Sequence, residues 1–384
     1  MIILDRPYVS KFLKCSASRQ NLPVLDTAQA RALAGDADLR FTPAASFFPE
    51  AKSTRIYANS ENSLELIMRE LKGSPLASMI EICKDKLLFR ETISDMYPEY
   101  GFAEVDAEDL DAFDPSVLPL PFIVKPARGF FSLGVHRVES DDDWPEISEA
   151  IRNETDRLND QYPSEVVSAG TYIAEEAIGG REYAVDVYWD ENGRPVVLNI
   201  LHHPFGSEDD VSDRLYYTSD EVMRSMLKPV TEFAAELGKV CGFRDFPAHV
   251  EIRVLKSGRI IPIEANPLRF AGWCVADITR HAWGFDPYEY YFTNRQPDWN
   301  DLLEKRAGTT TAMTIGDIPA DVDRKKLDGF DHDAFESLFD TVLELREIDW
   351  EKYPVFAFVF SRTDNANLPR LMKLLEEDFR HYLR

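Results

Sequence analysis

One stretch of the sequence predicts a β-hairpin in detail: it reads VEIRVLKSGRIIPIE, from Val250 to Glu264. Two runs of alternating apolar and polar residues flank a Ser-Gly pair at 257–258, which is suited to a two-residue hairpin turn. If the residues next to this turn pair with each other, Glu251 faces Glu264. Opposed side chains have Cβ atoms about 5 Å apart, and like charges there are destabilising. We therefore expect a positive charge between the two carboxylates.

The alternation also divides the hairpin into two faces. The face that is expected to pack against a core carries Val250, Ile252, Val254, Ile261, Ile263 and Ala265. The other face carries Glu251 and Glu264, and the same pairing sets Asn266 opposite His249. Two carboxylates and an amide oxygen are hard ligands, which suit Mg²⁺ or Mn²⁺ better than zinc. The alternative is an ordinary solvated acidic face on a hairpin.

A second segment, from Leu120 to Val138, has the composition of a phosphate-binding hairpin. An apolar strand delivers Lys125, and the loop after it contains Gly129, Ser132 and Gly134. Glycines let backbone N–H groups approach an anion, and a fixed lysine adds a positive charge. The loop is not a Walker A motif, because valine and histidine follow it where lysine and serine or threonine are required. The alternative is a glycine loop with a purely structural role.

A third segment predicts a hairpin around Asn192-Gly193, which is a strong short-range turn signal. Pairing of the residues that flank this turn sets Asp186 opposite Asn199 and Glu182 opposite His203. Glu182 and Asp186 are then either surface acids or acceptors that line a cleft, for a ribose and for a substrate.

The composition excludes several classes of protein. The chain has 384 residues, enough for two or three packed units, and a formal charge of −25, which disfavours nucleic-acid phosphates and anionic membranes as partners. The four cysteines lack the spacing of a zinc site or a disulfide framework. No apolar run approaches the roughly 20 residues that cross a bilayer, and Asp5 and Arg6 interrupt the apolar start. We therefore expect a cytoplasmic protein without nucleic-acid or membrane partners.

Strand and helix periodicity divides the chain into three parts. Residues 1–84 are predicted to form an α/β domain, residues 85–300 contain the hairpins, and residues 301–384 are predicted to form a small α+β subdomain. The predicted N-terminal elements are strands at Ile2–Leu4, Leu22–Leu25 and Arg55–Tyr57 and a helix at Ser63–Leu71. The predicted C-terminal elements are strands at Thr311–Ile315 and Val355–Phe360 and an amphipathic helix from Leu368 to Tyr382.

The order of the motifs resembles the ATP-grasp superfamily, of the carboxylate–amine ligase type, over roughly residues 85–275. The sequence reads Lys-Pro-x-x-Gly-x-x-Ser-x-Gly-Val, then Glu-Glu-x-Ile-x-Gly-x-Glu-Tyr, then His-x-Glu-x-Arg, then Glu-x-Asn-Pro. The resemblance implies the ATP-grasp fold, an α/β plus α+β architecture. Two α+β lobes, about 85–178 and 179–300, would grip ATP between them, with an N-terminal α/β domain before the lobes and a small C-terminal α+β cap after them.

The resemblance also implies roles for individual residues. The positions that match nucleotide contacts are Lys86 and Lys125 at the phosphates, Ser132 and Gly134 in the closing loop, Glu175, Glu176 and Ile178 at the adenine, and Glu182 at the ribose. The positions that match Mg²⁺ ligands are Glu251, Glu264 and Asn266, in agreement with the pairing argument. Arg269 matches an arginine that steadies the transferring phosphoryl group or the tetrahedral intermediate, and it is the expected catalytic residue together with Lys125. Many members read Asn-Pro-Arg, whereas Leu268 intervenes here and leaves the exact role of Arg269 open.

Enzymes of this type transfer the γ-phosphoryl group of ATP to a carboxylate, and an amine attacks the resulting acylphosphate. The substrates implied are a small carboxylate and a small amine. The candidate substrate-binding residues are Asp186, His202, His203, Arg214 and Arg253, whose mixed charges suit an amino acid or a short peptide. Two other functions stay open: a small-molecule kinase, and a nucleotide-binding protein without turnover. Homodimers are common among such enzymes, although no apolar stripe in this sequence indicates one.

Overall fold

The computed structural model describes residues 1–128, 134–161, 170–207 and 212–384, and at residues 141 and 154–161 it describes the backbone alone. The predicted loop residues Gly129 and Ser132 lie outside the described residues. Within the described ranges, no helix is both long and apolar enough to cross a membrane.

The N-terminal residues form a parallel sheet, as the alternation of strands and helices predicts. Its strands run in the order β3-β2-β1-β4, and their pairings are parallel. The elements are β1 (Ile2–Ile3), α1 (Lys11–Arg19), β2 (Pro23–Leu25), α2 (Ala28–Ala34), β3 (Arg40–Thr42), α3 (Ala44–Ala51) and β4 (Tyr57–Ala58). Ser10 and Thr27 cap α1 and α2, because each side-chain oxygen accepts from the N–H of the third helical residue.

Three helices connect this sheet to the next part of the chain: α4 (Leu64–Glu70), α5 (Pro75–Lys84) and α6 (Lys86–Ile93). Asp85 separates the last two, and its carboxylate accepts from the backbone N–H groups of Leu87 and Leu88. This cap makes Lys86 the first residue of α6. The backbone N–H of Lys86 donates to the carbonyl of Ala127 at 2.8 Å, which fixes α6 beside the segment that carries Lys125.

A small antiparallel sheet follows. The elements are β5 (Phe102–Asp106), β6 (Phe122–Pro126), β7 (His136–Val138), α7 (Trp144–Gln161) and β8 (Thr171–Glu176). Among the described residues the strand order is β5-β8-β6-β7. Ile123 pairs with Glu175, and Lys125 stands two residues further along the same face of β6. The small sheet thus brings one predicted lysine next to one predicted glutamate.

The remaining strands form a large antiparallel sheet. They are β9 (Arg181–Trp189), β10 (Pro195–His203), β11 (Leu215–Ser219), β12 (Phe246–Val254), β13 (Ile260–Pro267), β14 (Thr309–Asp317), β15 (Thr341–Glu347) and β16 (Val355–Asp364). Over the described residues their order is β13-β12-β9-β10-β11-β14-β16-β15. The helices are α8 (Asp220–Cys241), α9 (Ile278–Trp283), α10 (Pro287–Phe292), α11 (Trp299–Lys305), α12 (His332–Glu336) and α13 (Leu368–Met372).

Helix α8 covers one face of the large sheet. The indole N–H of Trp189 donates to the carbonyl of Ala234 at 2.8 Å. Gly238 is required at this crossing, because a Cβ there would overlap the Trp189 ring. The opposite face of the sheet, which α8 leaves open, carries the polar side chains described below.

The hairpin of β12 and β13 differs from the prediction at its turn. The N–H of Leu255 donates to the carbonyl of Arg259, so the loop has three residues instead of two. Its last residue is a glycine with a φ of +84°, as three-residue hairpin loops require. The longer loop shifts the pairing next to it by one position, so Val254 pairs with Ile260 and not with Ile261.

A β-bulge cancels this shift further along the hairpin. Ile263 has no partner in the register, and beyond it Glu251 pairs with Glu264 as predicted. The hairpin of β9 and β10 repeats the arrangement: it also has a three-residue loop, and Leu198 is its bulged residue. Asp186 consequently lies opposite the predicted asparagine. The two predicted two-residue turns are wrong, but the predicted facing pairs are confirmed.

The C-terminal residues extend the large sheet through β14, β15 and β16, and both predicted strands are present. The predicted continuous helix from Leu368 to Tyr382 is wrong, because α13 ends at Met372 and only 3₁₀ turns follow in the described chain. The guanidinium of Arg214 donates to three backbone carbonyls between residues 374 and 377. These bonds use carbonyls that a longer helix would need. The domain boundaries after residues 84 and 300 stay a prediction.

Candidate active site

Two carboxylates face each other at the edge of the large sheet. Glu251 of β12 and Glu264 of β13 are register partners, and Nδ2 of Asn266 lies 3.2 Å from an oxygen of each. Nζ of Lys86 lies 3.4 Å from the other oxygen of Glu264. The hairpin therefore delivers two acids and an amide to one point, and α6 places a lysine beside them.

The two carboxylates differ in their affinity for a proton. Burial and the charge of Glu264 raise the pKa of Glu251 well above its ordinary value. Burial raises the pKa of Glu264, but the charges of Lys86 and Lys125 together have the larger effect, and the pKa is lowered. Of the opposed pair, Glu251 therefore has the higher affinity for a proton.

The second predicted lysine lies in a buried ion cluster. Nζ of Lys125 is 2.5 Å from one oxygen of Glu175, and Nε of Arg90 is 2.5 Å from the other. Although burial raises it, Arg90 and Lys125 lower the pKa of Glu175 to about 2, so this carboxylate stays charged. Arg90 also donates to the carbonyls of Pro262 and of the bulged Ile263. Sequence reasoning does not identify Arg90, which ties the small sheet to the hairpin of the facing carboxylates.

Glu182 lies on the same face of the large sheet, and both of its oxygens are engaged. Nδ1 of His203 is 2.8 Å from one oxygen, and the guanidinium of Arg253 is 2.7 Å from the other. The His203 ring stacks on Tyr216 at a centroid distance of 4.0 Å, and Arg253 lies over the ring of Phe205. The structure thus brings three of the predicted nucleotide and substrate residues into one cluster.

Asp186 is fully buried next to this cluster. Its Oδ1 accepts from Nδ1 of His249 and from the backbone N–H of Ala271, both at 2.8 Å. Its Oδ2 has no hydrogen-bond partner among the described residues. Asn266, His249, Asp186 and Asn199 occupy matching register positions on four adjacent strands. A row of polar residues therefore crosses the sheet beside the facing carboxylates.

Arg269 reaches from the end of β13 to the N-terminal part of the chain. Its Nη2 donates to Oε1 of Glu61 at 2.7 Å, and Nζ of Lys84 donates to Oε2 at 2.7 Å. Burial raises the pKa of Glu61, but these two cations together have the larger effect and lower the pKa to about 2. Leu268 has a φ of +58°, and its carbonyl accepts from the N–H of Ala58. The residue that interrupts the expected Asn-Pro-Arg order thus makes a left-handed turn that directs Arg269 towards Glu61.

Residues 118–277, which contain most of this site, match a family model described as an ATP-grasp domain. This chain carries an ATP-grasp domain. Its full length also aligns with the L-amino acid ligase from Bacillus licheniformis, with a TM-score of 0.70 and 17% sequence identity over 100% of this chain and 97% of that one. Among curated proteins, none matches this sequence.

Two further solved structures share the fold. N5-carboxyaminoimidazole ribonucleotide synthetase from Thermotoga maritima aligns with a TM-score of 0.64 and 14% identity, over 100% of this chain and 98% of that one. The biotin carboxylase domain of 2-oxoglutarate carboxylase from Hydrogenobacter thermophilus, a complex with MgADP, aligns with a TM-score of 0.64 and 13% identity, over 98% and 89%. The chain therefore has the ATP-grasp fold, which is typical of ADP-forming ligases.

The facing carboxylates of the ATP-grasp domain fit a magnesium ion. In the part of the chain that the structure describes, no three His, Cys, Asp or Glu side chains form a metal cluster. The third protein ligand would be Oδ1 of Asn266, after rotation of the amide whose Nδ2 contacts the two carboxylates here. Two carboxylates and an amide oxygen are hard donors that leave room for water and phosphate. Lys86 offsets part of the negative charge of the pair, and a divalent cation would offset the rest.

Two predicted substrate residues lie away from this cluster. His202 follows on the other face of β10, where its Nδ1 is 2.8 Å from the hydroxyl of Tyr217 and burial lowers its pKa to about 4. Arg214 forms an ion pair with Asp317 in addition to its bonds to the C-terminal carbonyls. Both side chains therefore make their contacts away from the facing carboxylates and from the row of polar residues.

The predicted adenine and loop residues are only partly described. The side chain of Glu176 accepts from the backbone N–H of Gly101 at 2.8 Å, and Ile178 is half-buried in the linker between β8 and β9. Gly134 has a φ of +70°, a conformation that favours glycine. Ser132 lies outside the described residues, so its predicted contact stays a prediction.

Proposed function

We propose that this chain is an ATP-dependent, ADP-forming carboxylate–amine ligase that joins amino-acid-like substrates through an acylphosphate. The observation that supports it most strongly is the facing of Glu251 and Glu264 beside Lys86, within an ATP-grasp fold. The full-length alignment with an L-amino acid ligase supports amino acids as the substrate class.

The residues around the facing carboxylates divide into two groups in this proposal. Lys86 and Lys125 bind the phosphates of ATP, and Glu251, Glu264 and Asn266 hold Mg²⁺, or Mn²⁺ in its place. When bound, the metal ion neutralises the charge on the transferring oxygens. As a metal ligand, Glu251 would have to be deprotonated.

Arg269 supplies a permanent positive charge next to this site. A carboxylate oxygen of the first substrate attacks the γ-phosphorus, and the bond to the ADP oxygen breaks. The amine of the second substrate then attacks the acyl carbon, the bond from that carbon to the phosphate oxygen breaks, and phosphate leaves with one amine proton. A cation that stabilises the developing negative charge accelerates both steps.

The cluster around Glu182 is the proposed place for the ribose and for one substrate. Each carboxylate oxygen has two lone pairs, so Glu182 can accept from a ribose hydroxyl while it keeps His203 and Arg253. Arg253 can bind a substrate carboxylate, and Asp186 an ammonium group. The mixture of charges in so small a space suits an amino acid.

The test is an assay with ATP, Mg²⁺ and a pool of amino acids, followed by mass spectrometry of the products. We expect ADP, phosphate and a new amide in equal amounts, and ¹⁸O from a labelled substrate carboxylate in the released phosphate. A stable phosphorylated product that forms without an amine would indicate a kinase instead. Nucleotide binding without ATP consumption across the pool would indicate a protein without turnover.

A further inference from the structure

The N-terminal part of the chain holds the arginine that the proposed reaction uses. Glu61 begins a 3₁₀ helix (Glu61–Ser63) shortly after β4, and its carboxylate meets Nη2 of Arg269 at 2.7 Å. The side chains are 23% and 14% exposed, respectively. Water screens such a partly shielded pair less than it screens an ion pair on the surface.

The backbone on both sides of Arg269 is attached to the same strand. The carbonyl of Leu268 accepts from the N–H of Ala58 at 2.8 Å, and the N–H of Phe270 donates to the hydroxyl of Tyr57 at 3.3 Å. Tyr57 and Ala58 are the two residues of β4. The position of the Arg269 backbone is therefore set by the N-terminal sheet, and the direction of its side chain by Glu61.

Arg269 follows Asn266 by three residues, just beyond the end of β13, and a second set of anions acts on its charge. Burial lowers the pKa of Arg269, but Glu61, with smaller contributions from Glu251 and Glu264 in the same direction, outweighs burial and raises the pKa. If Glu61 were neutral, the facing carboxylates would be the next negative charges that act on Arg269. A guanidinium that moved to them would compete with a divalent cation for the same oxygens.

The ion pair with Glu61 leaves Arg269 free to act on a bound anion. A guanidinium has five N–H donors. Within the described residues, Arg269 gives one to Glu61 and one to the carbonyl of Phe270. Three donors are left for the phosphoryl group.

We propose that Glu61 is a positioning residue that keeps Arg269 out of the metal site and directs its free N–H groups towards the transferring phosphoryl group. The second half rests on the proposed ligase function, whereas the first half concerns metal binding alone. Glu61 does not touch the substrate in this proposal and acts through Arg269.

The test compares metal binding in Glu61→Gln and in Glu61→Gln/Arg269→Ala. The probe is Mn²⁺ with a non-hydrolysable ATP analogue, and electron paramagnetic resonance measures the free Mn²⁺. We expect Glu61→Gln to weaken binding about tenfold, because Arg269 then competes with the metal ion for the carboxylate oxygens. The added Arg269→Ala change should restore binding to within about twofold of Arg269→Ala alone, because the competing cation is gone. Wild-type affinity in Glu61→Gln, or no restoration in the double variant, would overturn the proposal.

Lys84→Met is the matched control, because it removes the other ion pair of the same carboxylate and leaves the contact with Arg269. It should bind the Mn²⁺ complex with wild-type affinity even where its melting temperature falls. If Glu61→Gln does not fold, Glu61→Met/Lys84→Met removes both charges and replaces it in the comparison.

In turnover, we expect Glu61→Gln to lower kcat by on the order of 100-fold with little change in the KM of the amino acid, as for a misplaced group. An absence of amide product in every assay would refute the ligase proposal and leave the binding comparison interpretable.

Discussion

Glu251 and Glu264 occupy opposed positions on neighbouring strands, and the amide of Asn266 contacts both. Opposed like charges repel each other, and their partial burial reduces the screening of that repulsion by water. Burial and the charge of Glu264 accordingly raise the pKa of Glu251. A cation that joined the two carboxylates would remove this repulsion.

We expect Glu251→Gln to leave the metal-free protein as stable as the wild type or slightly more stable, because it removes this repulsion. The same variant should lose the stabilisation that Mg²⁺ and ATP give to the wild type, about 2.7 kcal/mol at a hundred times the dissociation constant. Thermal melts with Mg–ATP and with EDTA measure both effects. Glu191→Gln, at an exposed loop position, is the control, and a full magnesium-dependent rise in Glu251→Gln would contradict the metal assignment.

The buried Glu175 should make a measurable contribution to acid stability. Its pKa is lower in the folded protein, about 2 against an ordinary 4.5, so it stabilises the fold above the ordinary pKa and loses that effect as the pH falls towards 2. We expect Glu175→Gln to destabilise the protein by about 3–5 kcal/mol at pH 7, because Arg90 is left buried without its partner. The difference between variant and wild type should shrink by on the order of 3 kcal/mol between pH 5 and pH 2. Urea unfolding at several pH values measures it, with the exposed Glu104→Gln as control; a difference independent of pH would contradict the assigned charge.

Arg269→Lys should separate charge from geometry. Lysine keeps the positive charge but not the planar fork of five donors, so we expect kcat to fall on the order of 100-fold, as for the loss of a donor to a developing negative charge. The KM for ATP should change little, because Lys86 and Lys125 remain. Arg280→Lys, at an exposed position on α9, is the matched control. Equal kcat values in Arg269→Lys and the wild type would show that the fork is not used.

Arg253 and Arg214 should respond differently to the same substitution. Arg253 lies with Glu182 in the candidate site, so Arg253→Met should raise the KM of the amino-acid substrate by about tenfold or more, the effect of one lost charged contact. Arg214 pairs with Asp317 and holds C-terminal carbonyls, so Arg214→Met should lower the melting temperature with little change in KM. Steady-state kinetics and thermal melts on both variants check this pair of outcomes. A raised KM in Arg214→Met at unchanged stability would place it in the substrate site after all.

Much of the site follows from strand alternation. The pairing of Glu251 with Glu264 and of Asp186 with Asn199 agrees with simple alternation counted from a two-residue turn. The loop lengths are not, because two-residue and three-residue loops use the same Asn-Gly and Ser-Gly pairs. The bulges at Ile263 and Leu198 have no signal of their own in the sequence. Their effect cancels the error in loop length, which is why the facing pairs are nevertheless confirmed.

The sequence by itself determined the N-terminal alternation of strands and helices, the two hairpins and the set of acids and lysines near them, because these depend on local periodicity and turn chemistry. Only the tertiary structure decided which partner each charge meets. Glu61 and Arg269 are 208 residues apart in the chain, and Arg90 and Glu175 are 85 apart, so no local pattern links them. Burial selects such pairs, because a charge removed from water must find an opposite charge wherever the fold brings one near.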